Sequence, residues 1–421
     1  MNRRAAFIAK GELAAAVAIA FLAPQRVRLP FDVPLGVALC AIVLPFTVTA
    51  MGRYAWAWAL TIIGVIAAVN GAALTGFAAG FVETDGRLLV SNTLLLLGIP
   101  LTIIALLWAR LVIGSRCTAL VFGIGMLVAL ASRGINGGNP WKFSFSVPVI
   151  LIALSLVWVY GRRWPQVVML AVLAGVSAAS DARSLSGMML VTLALVMTQG
   201  SGHRGARSMR TLTTAIRLAL IVVAGYFLVQ GAVLEGYLGE NAKARSEAQI
   251  AQSGSLIAGG RPEMGASASL LTARPLGYGS GVLPSGSDIL VAKTGMEANG
   301  YDPHNGYVNN YMFGNGFEVH SVIGDLWILF GLGGLAFAIV LGVAIGSGVI
   351  RSLASGTASA VVVFLALRSL WDLFFSPIGS AVLTLPIAVA LALPRRQPAP
   401  GKAPQDRHAN GAVQRGMRSL S

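Results

Sequence analysis

The chain has 421 residues, of which 56% are hydrophobic and only 11% are charged, and its formal net charge is +15. So apolar a composition excludes a soluble globular protein and predicts a membrane protein. The net positive charge is therefore interpreted as a property of a membrane protein. Cys40 and Cys117 both lie in apolar segments, which argues against a disulfide framework or a thiolate metal site.

Hydrophobic segments recur along the chain at about the length that crosses a bilayer, roughly 20 residues for 30 Å of hydrocarbon. The sequence therefore predicts an all-α polytopic membrane protein with about 12 transmembrane helices, although Gly and Pro interruptions leave eleven or thirteen open. Basic residues precede the first segment, but no convincing cleavage site follows it, so we interpret it as a helix and not a signal peptide. The segments are 11–24, 34–51, 54–81, 88–109, 117–132, 147–160, 165–180, 184–198, 212–233, 321–349, 357–376 and 378–393.

The segments divide the chain into four regions. Residues 1–233 contain about nine predicted membrane helices and residues 321–393 contain about three. Between them lies one large polar loop, 234–320, in which we expect short helices. Within it, residues 240–258 predict an amphipathic helix along the membrane surface. The tail, 394–421, has a composition typical of disorder.

The distribution of charge predicts the orientation. If the N-terminus is cytoplasmic and every segment crosses, the cytoplasmic pieces hold 19 of the 31 Lys and Arg residues but only two of the 16 acidic residues. This asymmetry is the positive-inside rule, and it explains the net charge without nucleic acid as a partner. Both termini are then cytoplasmic, and the loop 234–320 lies outside, in the periplasm of a Gram-negative cell.

Two short outer turns contain candidate arginines. Arg133 lies in a Gly- and Asn-rich turn, and Arg183 lies in the turn 180–184, where the chain re-enters the membrane. An arginine at such a boundary either snorkels to the interface or binds a ligand. Near the outer end of another helix, Arg368 and Asp372 share one face, either as an ion pair inside a buried helix or as part of a site.

The polar loop combines arginines with histidines. Arg261 and Arg274 each begin an Arg-Pro pair, and the second opens a glycine-rich turn that permits positive φ and close approach by a ligand. His304 lies within the loop and His320 directly precedes a predicted membrane helix. Guanidinium groups bind phosphates bidentately, and histidine exchanges a proton near neutral pH. These residues suit a lipid-linked phosphate or diphosphate substrate.

Two of these motifs resemble the O-antigen ligase/polymerase superfamily. The run from Arg261 to Gly281 resembles its "Arg … Pro-Leu-x-Gly-x-Gly" loop motif. His320, followed by Gly331 and Gly334, resembles its histidine at the foot of a Gly-x-x-Gly helix. The resemblance covers the last two-thirds of the chain, and the predicted span count and single large loop agree with it.

The outer turns extend the resemblance. The turn around Arg183 is similar to the family's arginine-bearing periplasmic turn, and Asn139-Pro140 after Arg133 also fits. Such proteins are GT-C-type membrane glycosyltransferases that use neither nucleotide nor metal. They move a glycan from undecaprenyl diphosphate to an acceptor sugar at the outer leaflet of the bacterial inner membrane. The resemblance implies no cofactor, and as partners the lipid-linked glycan, an acceptor glycan or lipid A–core, membrane lipids and other polysaccharide-assembly proteins.

The resemblance also implies roles for individual residues. His320 would deprotonate the acceptor hydroxyl or bind the diphosphate, and Arg183 would hold the diphosphate leaving group. Positioned cations in place of Mg²⁺ would neutralise the charge that develops as the diphosphate departs. We further predict that substrate is bound by six residues: Arg133, Arg261, Arg274, His304, Asn305 and Arg368.

Two histidines compete for one role, because His304-Asn305 followed by Tyr307 resembles the family's His-Asn-x-Tyr motif. We favour His320, since eleven residues separate it from Gly331, as a helix-foot histidine requires. An inverting polymerase of exopolysaccharide or O-antigen repeat units is our preferred interpretation, with the ligase that transfers polymer to lipid A–core as the alternative.

Two other classes of protein remain open. A lipid-linked oligosaccharide transporter would place polar residues at the midplane of broken helices and show internal repeats, and we find no clear repeat. A structural subunit of an assembly complex would use the loop for docking and tolerate alanine at Arg183 and His320. P-loop, dinucleotide-binding and His-Glu-x-x-His patterns are absent from the sequence.

Overall fold

The structure is a computed structural model that describes residues 3–29, 33–199, 211–221 and 261–396, with isolated positions at 223, 225, 247 and 250. The described part is helical and contains isolated β-bridges but no strand. Its α-helices are α1 (Arg3–Leu22), α2 (Leu35–Ile42), α3 (Leu44–Thr47), α4 (Ala57–Ala78), α5 (Gly86–Arg133), α6 (Ser146–Val157), α7 (Arg163–Ala179), α8 (Arg183–Thr198), α9 (Thr211–Ile221), α10 (Glu263–Ala273), α11 (Gly286–Glu297), α12 (Val322–Ala354), α13 (Ala360–Phe375), α14 (Ile378–Ala381) and α15 (Leu385–Ala392).

Helices coincide with all twelve predicted apolar segments over the described residues. The all-helical class is therefore confirmed for the described residues, and its long apolar helices are consistent with a membrane protein. Twelve spans and a GT-C fold stay predictions. By length and composition, four described helices can cross a membrane: Ala57–Ala78, Gly86–Ser132, Trp141–Tyr160 and Val322–Ala354. The bent pair of helices Leu35–Ile42 and Leu44–Arg53, with 59° between its halves, is a fifth candidate span if the two halves are counted together.

Helix α5 consists of two helices joined at Gly114, whose φ of 79° and ψ of 160° are not helical. In one straight helix, Leu95 and Phe122 would lie about 40 Å apart, at 1.5 Å per residue. Both instead line one small cavity of about 30 Å³. The chain therefore reverses at Gly114, a backbone conformation that glycine adopts without strain. The predicted segments 88–109 and 117–132 pack against each other as a hairpin.

The helix ends collect at two opposite ends of the bundle. At the first, which we call the Arg110 end, residues from α5, α9, α12, α13 and the segment after α15 line a single cavity. At the second, which we call the His320 end, the Ser321 hydroxyl before α12 donates to the Leu373 carbonyl of α13 (3.1 Å). The loop segment 261–320 lies at this second end.

A break in α12 receives part of the polar loop. Gly331 has a φ of 59° and a ψ of −146°, which interrupts the helix. Next to the break, the Phe330 carbonyl accepts a hydrogen bond from the Asn70 side chain of α4 (2.7 Å), and the Ile328 carbonyl accepts one from the Tyr278 amide (2.8 Å). The loop is thereby fastened to the membrane helices through their backbone.

The glycine-rich turn is occupied by the protein's own helices. A Cβ added to Gly277, which has a φ of 97°, would lie 2.7 Å from the Trp327 carbonyl oxygen and from the Gly331 Cα. The Gly281 amide donates to the Thr75 hydroxyl of α4 (3.0 Å). The sequence predicted that these glycines allow close approach by a ligand, and the structure uses them for close approach between the loop, α4 and α12.

The described residues include the first three of the predicted tail, 394–396. The Ala55 amide donates to the Pro394 carbonyl (3.1 Å), and the Arg396 amide donates to the Arg53 carbonyl (2.9 Å). Residues 397–421 lie outside the described residues. The predicted amphipathic helix 240–258 also lies outside them, apart from positions 247 and 250.

Gly277→Ala should lower the free energy of unfolding by about 2 kcal/mol or more, because the new methyl group meets backbone and the residue keeps a positive φ. Gly346→Ala is the control, since that glycine lies in α12 with nothing within 4 Å of an added Cβ. It should be neutral or raise stability by up to about 1 kcal/mol. Thermal unfolding of both variants in detergent measures this, and equal melting temperatures would contradict the tight insertion of the loop.

Candidate functional site

His320 stands at the entrance to α12. It precedes Ser321, the N-cap residue, whose hydroxyl accepts a hydrogen bond from the Gly324 amide (3.2 Å). The backbone of His320 has a φ of 55°, a left-handed conformation that is uncommon outside glycine. Such conformations cost about 1–3 kcal/mol and cluster at functional sites, where the surrounding structure enforces them.

A buried carboxylate enforces the position of His320. Asp325 accepts hydrogen bonds from the backbone amides of Val319 and Ile378, each at 2.8 Å, and its side chain is buried. These two bonds join the residue before His320 to the start of α14. With the bond from Ser321 to α13, they fix the histidine backbone from both sides.

The contacts of the His320 ring leave one nitrogen available for a proton. Its Nδ1 lies 3.3 Å from the carbonyl oxygen of Glu318. Because a carbonyl oxygen only accepts, the neutral ring in this contact carries its proton on Nδ1 and presents a lone pair on Nε2. The ring also packs on Tyr307, with 5.3 Å between centroids. The geometry suits a histidine that accepts a proton at Nε2.

Tyr307 connects His320 with a buried acid. Its hydroxyl donates a hydrogen bond to the carboxylate of Glu263. Burial raises the pKa of Tyr307 well above its usual value, and the Glu263 carboxylate raises it further, so the phenol keeps its proton. The other carboxylate oxygen of Glu263 is buried and has no hydrogen-bond partner among the described residues. A buried carboxylate oxygen without a hydrogen bond is costly to the fold.

Arg261 brings a fixed cation to the same place. Its Nη1 donates to the Phe375 carbonyl at the end of α13 (3.0 Å), and its guanidinium lies 5.7 Å and 5.6 Å from the ring centroids of Trp371 and Phe375. Both distances are within the range of cation–π attraction. Burial and Glu263 raise the pKa of Tyr307, and the charge of Arg261 opposes them by a smaller amount. The Arg261 guanidinium therefore interacts electrostatically with the Tyr307 hydroxyl.

Arg183 lies at the same end of the bundle as Arg261. At the opposite end of α8, the Gln199 side chain donates to the Ala358 carbonyl just before α13 (3.0 Å). Helices α8 and α13 therefore run antiparallel, and the start of α8 lies alongside the end of α13, where Phe375 binds Arg261. The Arg183 Nε lies 3.7 Å from a carboxylate oxygen of Asp181 in the preceding turn.

The turn that contains Arg133 adjoins the turn that contains Arg183. The Asn139 side-chain amide donates to the Ser180 carbonyl (2.7 Å), and the Trp141 indole N–H donates to the Ser177 hydroxyl (3.1 Å). Arg133 itself is the last residue of α5, and its side chain lies outside the described residues. Its role in substrate binding stays a prediction.

Arg368 and Asp372 form the ion pair that the sequence suggested. The Arg368 Nε lies 3.0 Å from both carboxylate oxygens of Asp372, which is buried and also accepts the Ser376 hydroxyl (2.6 Å). The pair neutralises a carboxylate inside the bundle, where an isolated charge would be costly. Part of the guanidinium is exposed, so substrate binding by Arg368 stays a prediction.

Arg274 is engaged within the loop. Its guanidinium lies 3.3 Å from the Asp288 carboxylate and 4.6 Å from the Tyr278 ring centroid. Burial and the Asp288 charge raise the pKa of Tyr278 to about 12, and Arg274 opposes this. These contacts hold the segment that inserts beside α12. They are separate from the contacts that join Arg261, Tyr307 and His320, so Arg274 stays a predicted binding residue without a contact to that group.

His304 and Asn305 shape the turn that presents Tyr307. The His304 side chain is 68% exposed, with Nδ1 3.2 Å from an Asp302 carboxylate oxygen. The hydrogen bond from the His304 amide, followed by that from its ring, lowers the pKa of Asp302. The Asn305 side-chain oxygen accepts the Val308 amide (3.1 Å) and so begins the π-helical turn Tyr307–Met312. The His-Asn-x-Tyr run thus contributes its tyrosine to the His320 contacts.

Sequence reasoning missed Glu263, Tyr307 and the Trp371–Phe375 pair as parts of the site. Weak signals existed for each of them. Glu263 follows the Arg261-Pro262 motif directly, Tyr307 ends the His-Asn-x-Tyr run, and Trp371 and Phe375 lie four residues apart on a helix. What the sequence did not contain was the pairing of Tyr307 with Glu263 across 44 residues.

We compared the chain with models of protein families, with curated proteins and with solved structures, and none of the three comparisons finds a match. Within the described residues, no group of three or more His, Cys, Asp or Glu side chains is placed to hold a metal ion. The functional interpretation therefore depends on the contacts around His320 and on the motif resemblance.

Tyr307→Phe should lower the free energy of unfolding by about 1–3 kcal/mol, because it leaves the buried Glu263 carboxylate without its donor. Tyr311→Phe is the matched control. Tyr311 is 73% exposed, so loss of its hydroxyl should change stability by less than about 0.5 kcal/mol. Melting temperatures of the two purified variants test the contact, and an equal effect of both would mean that the Tyr307–Glu263 bond contributes nothing.

Proposed function

We propose that this protein is a membrane glycosyltransferase of the GT-C type. It would join an undecaprenyl-diphosphate-linked glycan to an acceptor sugar at the His320 end of the bundle. The observation that carries the proposal is the connected set Arg261, Glu263, Tyr307 and His320. It combines a proton acceptor, a buried carboxylate and a fixed cation at the foot of a membrane helix. Arg183 adds a second cation at the same end.

The reaction assigns a task to His320, to Tyr307 and to the two arginines. The acceptor hydroxyl oxygen attacks the anomeric carbon of the donor sugar, and the bond from that carbon to the diphosphate oxygen breaks with inversion. The hydroxyl proton passes to Nε2 of His320, and the diphosphate keeps the electron pair of the broken bond. Arg261 and Arg183 neutralise its growing negative charge, a contribution worth about 10²–10³-fold in rate for one positioned donor. Tyr307 keeps its proton and orients the histidine ring.

The position of the set also supports chemistry at a membrane surface. His320 and Glu263 lie where the polar loop meets the helices, so a lipid-linked donor can keep its chain in the bilayer while its diphosphate reaches the arginines. The positive-inside rule applied to the sequence predicts that this end lies in the periplasm and the Arg110 end in the cytoplasm of an inner-membrane protein. A transporter would instead require polar groups along a path between the two ends.

The acceptor distinguishes two versions of the function. In a polymerase of exopolysaccharide or O-antigen, the acceptor is a second lipid-linked repeat unit. In a ligase it is lipid A–core. We favour the polymerase, and both versions use the same leaving group and the same proton acceptor.

Cells that lack the gene, rescued with variants, provide the test. His320→Ala and Arg261→Ala should each reduce polymer by about 10²-fold or more, since each removes a group that acts on the transition state. Arg87→Ala is the control, because Arg87 is an exposed arginine at the same end, outside the His320 contacts. It should rescue fully. Glycan analysis and protein levels in the membrane are the measurements.

The accumulating species identifies the reaction. Single repeat units on the lipid carrier, without polymer, indicate a polymerase. Full-length polymer on its carrier and absent from lipid A–core indicates a ligase. Full rescue by both His320→Ala and Arg261→Ala, at normal protein level, would contradict the proposed site and favour a docking role for the loop.

A further inference from the structure

The opposite end of the bundle contains a second site that the transfer reaction does not use. We infer that the cavity at the Arg110 end binds a phosphate-bearing anion. The cavity has a volume of about 750 Å³. This lies within the range of small-molecule sites, about 300–1,000 Å³. It opens among the turn of α5 at Gly114, the end of α12, the start of α13 and the segment after α15.

The lining of the cavity is cationic. Four arginines border it, Arg110, Arg351, Arg395 and Arg396, and its described lining residues include no Asp or Glu. Like charges that converge without counter-ions repel each other, so an anion between them relieves repulsion as well as forming new bonds. Guanidinium groups are matched to phosphate oxygens by their planar, forked donors.

Two of the arginines are held in place by the protein. The Arg110 Nε donates to the Ser115 hydroxyl (2.8 Å), and its Nη1 donates to the Leu393 carbonyl (2.8 Å). The guanidinium groups of Arg110 and Arg395 lie 5.2 Å and 6.0 Å from the Tyr54 ring centroid. Because these two side chains are already fixed in the free protein, less conformational entropy is lost when an anion binds.

The other two arginines are available to a ligand. The side chains of Arg351 and Arg396 make no hydrogen bond or ion pair with another described residue. Arg351 lies at the end of α12 and is exposed. The backbone of Arg396 is fixed by the hydrogen bond that its amide donates to the Arg53 carbonyl (2.9 Å). A long side chain on a fixed backbone can close over an anion in the cavity.

The start of α13 provides an independent indication. Ser359, the N-cap residue, lines the cavity and is 3% exposed, yet its hydroxyl has no hydrogen-bond partner in the described part of the chain. It does not cap its helix. A buried polar group without a partner destabilises the protein, and a ligand that bonds it removes that cost. The N-terminus of a helix is also a favourable place for an anion.

The membrane setting suggests two sources for the anion. If the Arg110 end is cytoplasmic, it lies at the level of the negatively charged headgroups of the inner leaflet, which basic pockets between helices bind. Soluble phosphate or diphosphate from the cytoplasm offers the same oxygens. Hydroxyls of Ser352, Ser355 and Thr357 also line the cavity and can bond phosphate from either source.

The test uses the full-length protein in a zwitterionic detergent. Melting temperature is measured against increasing dihexanoyl phosphatidylglycerol, dihexanoyl phosphatidylcholine or sodium diphosphate at constant ionic strength, and binding is counted by native mass spectrometry. The variant is Arg351→Gln with Arg396→Gln. Arg162→Gln is the control, because Arg162 lies before α7 and does not line the cavity.

Phosphatidylglycerol or diphosphate should raise the melting temperature of the wild type and the control, and phosphatidylcholine should not. The double variant should bind the effective anion at least about tenfold more weakly than the wild type. This corresponds to a loss of roughly 1.4 kcal/mol or more of charge-assisted hydrogen bonding. A response to the lipid alone identifies a headgroup site, and a response to diphosphate alone identifies a soluble ligand. A response equal to that with phosphatidylcholine, or equal loss in the Arg162→Gln control, overturns the proposal.

Ser359→Ala separates binding from folding. Because the hydroxyl has no partner among the described residues, its removal should leave the protein without ligand as stable as the wild type or more so, while anion binding weakens. If Ser359→Ala destabilises the ligand-free protein and leaves anion binding unchanged, the hydroxyl belongs to the fold and not to a site.

Discussion

The insertion of the polar loop at the break in α12 is the constraint on which the rest of the structure depends. A helix interrupted at membrane depth exposes backbone carbonyls, and each costs several kcal/mol if nothing bonds it. The amides of Tyr278 and Gly279 donate to the Ile328 carbonyl, at 2.8 Å and 3.2 Å, and Asn70 donates to the Phe330 carbonyl. The break and the loop therefore require each other.

The same insertion positions the candidate site. The Tyr278 hydroxyl donates to the Leu270 carbonyl of α10 (3.2 Å), so the loop segment that fills the break also holds the helix that begins with Glu263. Tyr307 then joins Glu263 to His320 at the foot of α12. The polar loop is thus held against the helix bundle by several hydrogen bonds. A proton acceptor and a cation need such a fixed framework to keep their geometry during a reaction.

Much of the fold followed from hydropathy, but little of the site did. Apolar segments located the helices because burial in hydrocarbon depends on composition, and glycine at position 114 agreed with a turn between two of them. The predicted apolar segment 321–349 placed His320 directly before a helix, and α12 begins two residues after it. The partnership of Tyr307 with Glu263, and that of Arg261 with the end of α13, depends on how distant segments pack, and no local pattern contains this. The glycines of residues 277–281 illustrate the limit, since glycine permits close approach by a ligand or by another helix equally well.

The two ends of the bundle differ in the way their charges are arranged. At the His320 end, Arg183 lies near Asp181 and Arg368 pairs with Asp372, whereas four arginines border the cavity at the Arg110 end without an acidic residue in its described lining. A single net charge of +15 hides this difference. In the proposed orientation, the mixed end performs the transfer and the basic end faces the anionic inner leaflet.

Transfer by the purified protein in proteoliposomes tests the central claim most directly. The substrates are an undecaprenyl-diphosphate-linked glycan and its acceptor, and released undecaprenyl diphosphate is quantified together with the elongated glycan. The account predicts equimolar release and elongation by the wild type, and loss of both with His320→Ala or Arg261→Ala. Movement of the intact lipid-linked glycan across the bilayer without release of undecaprenyl diphosphate would contradict it.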